Sequence, residues 1–371
     1  MSNAQTLAQL LSSPFIVALP LWIFAWVLML FTGSGLIRWL KALKGMKWSP
    51  REDTPDSHLQ KAGTPSMGGL GIIGSAALSC IATGTLMLAL GHLALSTFTI
   101  PYGWYLAGSA AFLLCVLAHC ALGFADDWLK ARGKGGLTSK AKLAGQIILA
   151  FAFLGIIALM WTQAPPIVQR DEPHLAFHLG IYAICFLLII GTSNAVNLTD
   201  GIDGLAAGLS VQVGLVFGLL FLETWGQAEI GLFASAAEMV WIALGGACLG
   251  FLAFNKNPAK VFMGDTGSLA LGAALGAGAI LTRSVFLLPF IGFMFYIEMF
   301  SVMGQVAYFK YTKKKTGEGK RIFRRAPLHH HYELGGWSEW RVVGTFWAIN
   351  ALTTIIGLIL WKLEILPRFP W

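Results

Sequence analysis

Residues 179–204 read LGIYAICFLLIIGTSNAVNLTDGIDG. The stretch opens as an uncharged apolar run long enough to cross a bilayer as a helix, which needs roughly 20 such residues. It closes on Asp200 and Asp203, spaced to share one helix face. Just before them, Asn194 and Asn197 add amide oxygens one turn apart. Gly201 and Gly204 let a ligand or a neighbouring helix approach the backbone. The stretch therefore sets the expectation for the whole chain: helices in lipid, with chemistry at their ends.

Composition agrees. The chain has 371 residues, of which 56% are hydrophobic and only 12% charged, and its mean hydropathy is +0.68. Soluble domains carry about 25% charged residues, so a soluble globule is excluded, along with disordered, collagenous and disulfide-scaffold chains. Further apolar runs lie near 14–37, 66–90, 103–124, 143–161, 179–196, 204–222, 234–254, 266–282, 284–309 and 342–361. These predict an all-α integral membrane protein of about ten transmembrane helices, forming one polytopic domain over 1–371. The N-terminal run has no basic segment before it and is too long for a signal peptide. The five cysteines lie in apolar runs without metal-ligand spacing. The glycines of the second and eighth runs read as close helix packing.

Ten spans put alternate loops on opposite sides. Segments near 38–61, 125–142, 197–203, 255–265 and 310–341 hold 22 of the 26 Lys and Arg residues. By the positive-inside rule that side is cytoplasmic, and both termini are non-cytoplasmic. The net charge of +8 is thus read as topological rather than as a nucleic-acid footprint. Trp39, Trp48, Tyr102, Trp104, Trp161, Trp340 and Trp361 fall near expected span ends, as an interfacial belt does.

On this map Asp126 and Asp127 (FADDWLK), Asp200, Asp203 and Asp265 (VFMGDTGS) all sit at cytoplasmic ends of spans. Their repulsion requires a cation, and a carboxylate set without Cys or His suits a hard ion, Mg²⁺ or Mn²⁺. Lys61, Lys130, Arg132, Lys134, Lys140, Lys142, Lys256 and Lys260 lie on the same face. Acids for metal beside lysines for phosphate are the elements of phosphoryl transfer. The basic loop RIFRRAPLHHHYE, with His329, His330 and His331, reads as a phosphate- or sugar-contacting loop. Lys313, Lys314 and Lys315 read as topological anchors. Glu298, within an apolar run, and His119, two turns before Asp126, admit both structural and functional readings.

GTPSMGG, FADDWLK, NAVNLTDGIDGLA, VFMGDTGSLALG and APLHHHYE, in this order, resemble the phospho-N-acetylmuramoyl-pentapeptide transferases. These belong to the polyprenyl-phosphate N-acetylhexosamine-1-phosphate transferase superfamily. The resemblance spans residues from about 38 to 361, and the intact triple His with GTPSMGG marks the muramoyl-pentapeptide branch. It implies transfer of phospho-N-acetylmuramoyl-pentapeptide from a UDP-linked donor to undecaprenyl phosphate. UMP is released and lipid I forms, the first membrane step of peptidoglycan synthesis in the bacterial cytoplasmic (inner) membrane. It also implies Mg²⁺ dependence and a homodimer.

By motif, Asp126 and Asp127 match the paired acids, with Asp127 proposed to activate the lipid phosphate as base or nucleophile. Asp265 matches the Mg²⁺-binding Asp, and Asn197 a position that joins it. Lys61, Asp200, Gly201, Asp203 and Phe262 match a nucleoside pocket, with Gln305 and His330 beside it. Lys130, Lys142, Asn194 and the three histidines are phosphate- or sugar-binding candidates. The active site is expected from segments near 38–66, 125–142, 197–203, 255–265 and 310–341. Covalent phospho-enzyme and direct attack both stay open. The competing functions are a transferase for another UDP-N-acetylhexosamine and an ion-coupled transporter or flippase; Glu298 alone fits the latter.

Overall fold

The computed structural model describes residues 14–43, 61, 63–89, 102–162, 175–224 and 231–369. Trp48, most of the 38–61 segment, and the side chains of Tyr102, Trp104 and Trp161 lie outside the described residues. The described residues form twelve α-helices and one 3-10 turn, with no strand. Helices α1 (Phe15–Ala42), α2 (Gly69–Ala89), α3 (Tyr102–Ala131), α4 (Ser139–Thr162) and α5 (Leu175–Thr199) come first. They are followed by α6 (Leu205–Thr224), α7 (Gly231–Asn255), α8 (Gly264–Leu281), the 3-10 turn Val285–Leu287 and α9 (Leu288–Ile291). The chain ends with α10 (Phe293–Thr316), α11 (Leu328–Glu333) and α12 (Glu339–Lys362). Among the described residues nine helices are long and apolar enough to cross a membrane, and the bent pair around Gly292, taken as one span, makes a tenth. In lipid each span must close its own backbone hydrogen bonds, which leaves the helix as the only form open to an isolated apolar run.

The bundle is built around α8, in which every residue from Thr266 to Leu281 is buried. Its closest neighbours are α3 and α5, with α2 and α7 beyond. Lipid is as apolar as leucine, so helices associate through close packing rather than through expulsion of water. The sequence of α8, rich in Gly and Ala, serves that packing. Gly272 and Gly276 seat it against Thr192, Ser193 and Ile189 of α5, where a Cβ would strike backbone. Gly123 does the same from α3, because a methyl group there would overlap the Asp265 carbonyl. That close approach carries the end of α3 over the beginning of α8. Large side chains such as Phe31, Ile148, Leu187 and Leu352 face outward, toward the lipid.

The run at 284–309 is not one straight span. It bends by 82° between Val285–Ile291 and Phe293–Thr316. The sequence marks the break with Pro289 and Gly292. Freed backbone groups at such a break need partners inside the membrane, and α12 supplies them. Asn350 accepts from the Met294 N–H at 3.1 Å and donates to the Ile291 carbonyl at 3.1 Å. The Thr353 hydroxyl donates to the Phe290 carbonyl at 3.0 Å. Gln212 of α6 holds the Asn350 amide from the far side, accepting from its Nδ2 at 2.8 Å. Beyond α12 the chain folds back, and Arg283 and Phe369 exchange hydrogen bonds of 3.0 and 2.8 Å.

Replacing Asn350 with Leu leaves a buried N–H and a buried carbonyl without partners, at a cost of about 2 kcal/mol. The Asn350→Leu protein should melt at lower temperature in detergent. An unchanged melting temperature would mean that the bend holds itself.

Candidate active site

The last two turns of α3 and the first turn of α8 meet at one end of the bundle. There the carboxylates of Asp126, Asp127 and Asp265 bring oxygens within 4.8 Å of one another. At that spacing each like-charged pair repels by about 3 kcal/mol at the effective dielectric of a protein site. The arrangement therefore depends on what else touches it. Lys130 lies 2.6 Å from Asp126 Oδ2 and 3.1 Å from Asp265 Oδ2. Lys142, from the start of α4, lies 3.0 Å from Asp126 Oδ2 and pairs with the same oxygen of Asp265. The Leu137 N–H donates to Asp126 Oδ1 at 2.6 Å. Two ammonium groups thus bind the acids together.

Asp127 has a separate set of contacts. Its carboxylate accepts from the Thr266 N–H at 3.0 Å, the Thr266 hydroxyl at 2.7 Å and the Asp265 N–H at 3.3 Å. A carboxylate from α3 thereby caps the N-terminus of α8, where unpaired N–H groups and the helix dipole favour negative charge. Gly264 precedes the cap with φ +74, in the region open to glycine.

Asn197 lies across from this pair on α5. Its Nδ2 donates to Asp265 Oδ1 and to Ser268 Oγ, both at 2.8 Å, so its amide oxygen points elsewhere. Three carboxylates, without Cys or His, form a hard all-oxygen donor set able to hold a cation such as Mg²⁺, and the Asn197 amide hydrogen-bonds one of them. Beside it lies a cavity of about 230 Å³, bordered by Asp126, Lys130, Leu137, Lys142, Asn194 and Asn197.

Asp203 organises a second cluster. It takes the Lys61 ammonium at 2.8 Å on one oxygen, and Asn257 Nδ2 and the Ala259 N–H at 3.1 and 3.0 Å on the other. Lys61 also pairs with Glu339, at the start of α12, at 2.8 Å. The Phe262 N–H donates to the Pro65 carbonyl and its own carbonyl accepts from Gly68, so the segments before α2 and α8 run side by side. Between the two clusters lies Asp200. Its burial, and then the Asp265 and Asp127 carboxylates, push its carboxyl well above the ordinary carboxylate range.

The three histidines of α11 have three different environments. His329 is fully buried; its backbone N–H and Nδ1 meet Glu298 at 3.1 and 3.2 Å. Its ring lies against Gly201, where a Cβ would overlap Nε2. His330 pairs with Glu333 at 2.8 Å, and burial holds its imidazole below the usual value. His331 Nδ1 accepts from the Arg324 N–H at 3.1 Å. Gln305 clamps the same loop, accepting from the Ile322 and Phe323 N–H groups and donating to the Phe323 carbonyl. Glu298 thus holds the histidine helix against the NLTDG turn, which removes the one residue that favoured a transporter. His119 stays within its own helix, with Nδ1 on the Cys115 carbonyl at 2.9 Å. All five cysteines are free thiols.

The structure brings Asp126, Lys130, Lys142, Asn194 and Asn197 to one cavity, with Asp127 and Asp265 clustered beside it, and Lys61, Asp203 and the Phe262 backbone to a separate clasp. Sequence reasoning passed over Thr266, Glu339 and Gln146. Thr266 was legible as a hydroxyl at a helix start beside Asp265. Glu339 and Gln146 had no signal of their own, because their partners are distant in sequence.

A family model described as glycosyl transferase family 4 matches residues 109–283. The chain is similar to the phospho-N-acetylmuramoyl-pentapeptide-transferase of Moorella thermoacetica, at 42% identity over 91% of this chain and 96% of the relative. It is similar to that of Bacillus subtilis at 43% identity, over 87% of this chain and 91% of the relative. A relative of the same name from Nostoc punctiforme is 41% identical over 88% of this chain and 84% of its own length.

Asp203→Ala removes the anchor of Lys61, Asn257 and Ala259 at once. It should lower the melting temperature as well as activity. A variant with normal melting and lost activity would restrict Asp203 to ligand contact.

Proposed function

The chain belongs to the phospho-N-acetylmuramoyl-pentapeptide transferases, within glycosyl transferase family 4, and on that premise we propose how its residues carry the reaction. The protein is a membrane phosphotransferase of peptidoglycan synthesis. It moves phospho-N-acetylmuramoyl-pentapeptide from UDP to undecaprenyl phosphate, forming lipid I and releasing UMP. The observation that carries the assignment of roles is the meeting of Asp126, Asp127 and Asp265 with Lys130 and Lys142 at one end of the bundle.

Asp265 and Asn197 would hold Mg²⁺, with Asp126 and Asp127 close enough to complete its surroundings. When bound, the ion neutralises charge on the donor's diphosphate. Lys130 and Lys142 exchange their carboxylate contacts for phosphate oxygens as the substrates enter. That exchange keeps the charge of the site balanced at each stage, which is the main demand of phosphoryl transfer. An oxygen of the lipid phosphate attacks the donor's β-phosphorus, and the bond to UMP breaks. In this direct route Asp127, with Asp126, takes the remaining proton of the lipid phosphate; in the covalent route an Asp127 oxygen attacks the β-phosphorus first, UMP leaves, and the lipid phosphate then displaces Asp127 from the phosphoryl group. Lys61, Asp200, Gly201, Asp203, Phe262 and Gln305 form and support the nucleoside pocket. His330 and His331 close it from α11 and reach the phosphates or sugar, while buried His329 seats α11 against Gly201.

The acceptor's tail lives in lipid and the donor is a water-soluble anion, so the site belongs at a membrane boundary. We place it on the cytoplasmic side of the bacterial inner membrane, in a homodimer with both termini on the opposite side. The basic loops support this orientation.

Purified protein with undecaprenyl phosphate and Mg²⁺ should release UMP from UDP-N-acetylmuramoyl-pentapeptide and not from UDP-N-acetylglucosamine. Release from the second donor alone would overturn the donor assignment. Asp265→Ala should abolish turnover while leaving a folded protein. Asp127→Asn should lower kcat on the order of 10²- to 10⁴-fold at saturating substrate, whereas a raised KM alone would mean a binding role.

A further inference from the structure

Gln146 of α4 is buried beside the cavity, 1% exposed. Neither the charge pattern nor the motifs give it a task. Its hydrogen bonds form a relay whose direction is fixed. At one end is the Leu269 carbonyl of α8, which can only accept. The Ser193 hydroxyl therefore donates to it, at 3.1 Å. With its proton spent there, Ser193 Oγ accepts from Gln146 Nε2 at 3.0 Å. Gln146 must then turn its Oε1 to Asn194, whose Nδ2 donates to it at 3.0 Å. The Ile190 carbonyl, another obligate acceptor, takes the second Asn194 N–H at 2.9 Å. Amide orientation is ordinarily ambiguous between its nitrogen and oxygen ends. Here two backbone carbonyls settle it, because a flip of either amide would set acceptor against acceptor.

Both N–H bonds of Asn194 are consumed, so Asn194 offers the cavity only its oxygen. A phosphate oxygen cannot bond to it. A group carrying an N–H or O–H can. The phosphates are served by Lys130 and Lys142, which border the same cavity. We propose that Gln146 is a positioning residue that locks Asn194 as a hydrogen-bond acceptor for a hydroxyl or amide N–H on the sugar of the nucleotide-sugar donor. This rests on the transferase reading above and narrows Asn194 from phosphate or sugar to sugar. Specificity follows from the lock, since a site built to accept a hydrogen bond discriminates against a ligand that lacks the donor.

The test compares Gln146→Met, which keeps the length and removes both amide ends, with Gln146→Glu, which keeps an acceptor for Asn194. KM and kcat are measured for both substrates, and binding of UMP and of the intact UDP-sugar donor is measured by calorimetry. Gln146→Met should raise KM and Kd for the donor about tenfold, the value of one uncharged hydrogen bond. UMP affinity and the KM for the lipid phosphate should stay within about twofold. Gln146→Glu should retain more donor affinity than Gln146→Met. Combining Gln146→Met with Asn194→Ala should cost no more than Asn194→Ala alone, because the two act as a unit.

Additive losses, or equal weakening of UMP and donor, would overturn the proposal and leave Gln146 as packing. Unchanged donor affinity in Gln146→Met would overturn it as well. If the wild-type protein bound the donor but released no UMP, the transferase reading would fail, while the calorimetric comparison would still decide the relay.

Discussion

Asp127 joins two helices that lie far apart in the sequence. Its carboxylate leaves α3 and closes the open N-terminus of α8. Because α8 is the buried axis of the bundle, this contact sets where the axis begins relative to its largest neighbour. It also places Asp265, the second residue of α8, against Asp126. The acidic cluster is therefore a consequence of a cap. Gly123 makes it possible by letting the helices touch one turn earlier.

Charge balance then distributes the remaining roles. Three carboxylates this close are tolerable only with cations between them, and Lys130 and Lys142 act as the protein's own. Both lysines come from helix ends beside the acids, Lys130 from the last turn of α3 and Lys142 from the first turn of α4. Exchange of carboxylate for phosphate partners costs little when both carry similar charge. The Asp203 clasp differs, because Lys61 is held between two acids and Asp203 is saturated by neighbouring backbone and amide groups. One cluster is arranged to exchange partners and the other to keep them.

Much of this was legible in the sequence. Apolar length gave the spans, since lipid leaves an isolated run no other form. Charges at span ends pointed to the acids and lysines of the site, because any charge in so apolar a chain is conspicuous. What the sequence withheld is pairing. Lys61 finds its partners 142 and 278 positions away, and no local pattern encodes that. The three histidines read as one motif, yet their surroundings differ completely, because a short helix points successive side chains in different directions. The run at 284–309 looked continuous because Pro and Gly are tolerated in membrane helices. Only the amide of Asn350 shows how the break is held.

That break makes two distant parts of the chain depend on each other. The backbone opened at Gly292 is completed by a side chain 56 residues further along than Met294. Without α12 the ninth span lacks the side-chain partners that Asn350 and Thr353 give to the Met294 N–H and to the Ile291 and Phe290 carbonyls. A hydrophobic segment in that position keeps its hydrogen bonds by staying straight. The bend that carries Glu298 and the histidine helix to the NLTDG turn is therefore held in place by α12. The placing of the histidine helix thus rests on α12, whereas the acid cluster rests on α3 and α8.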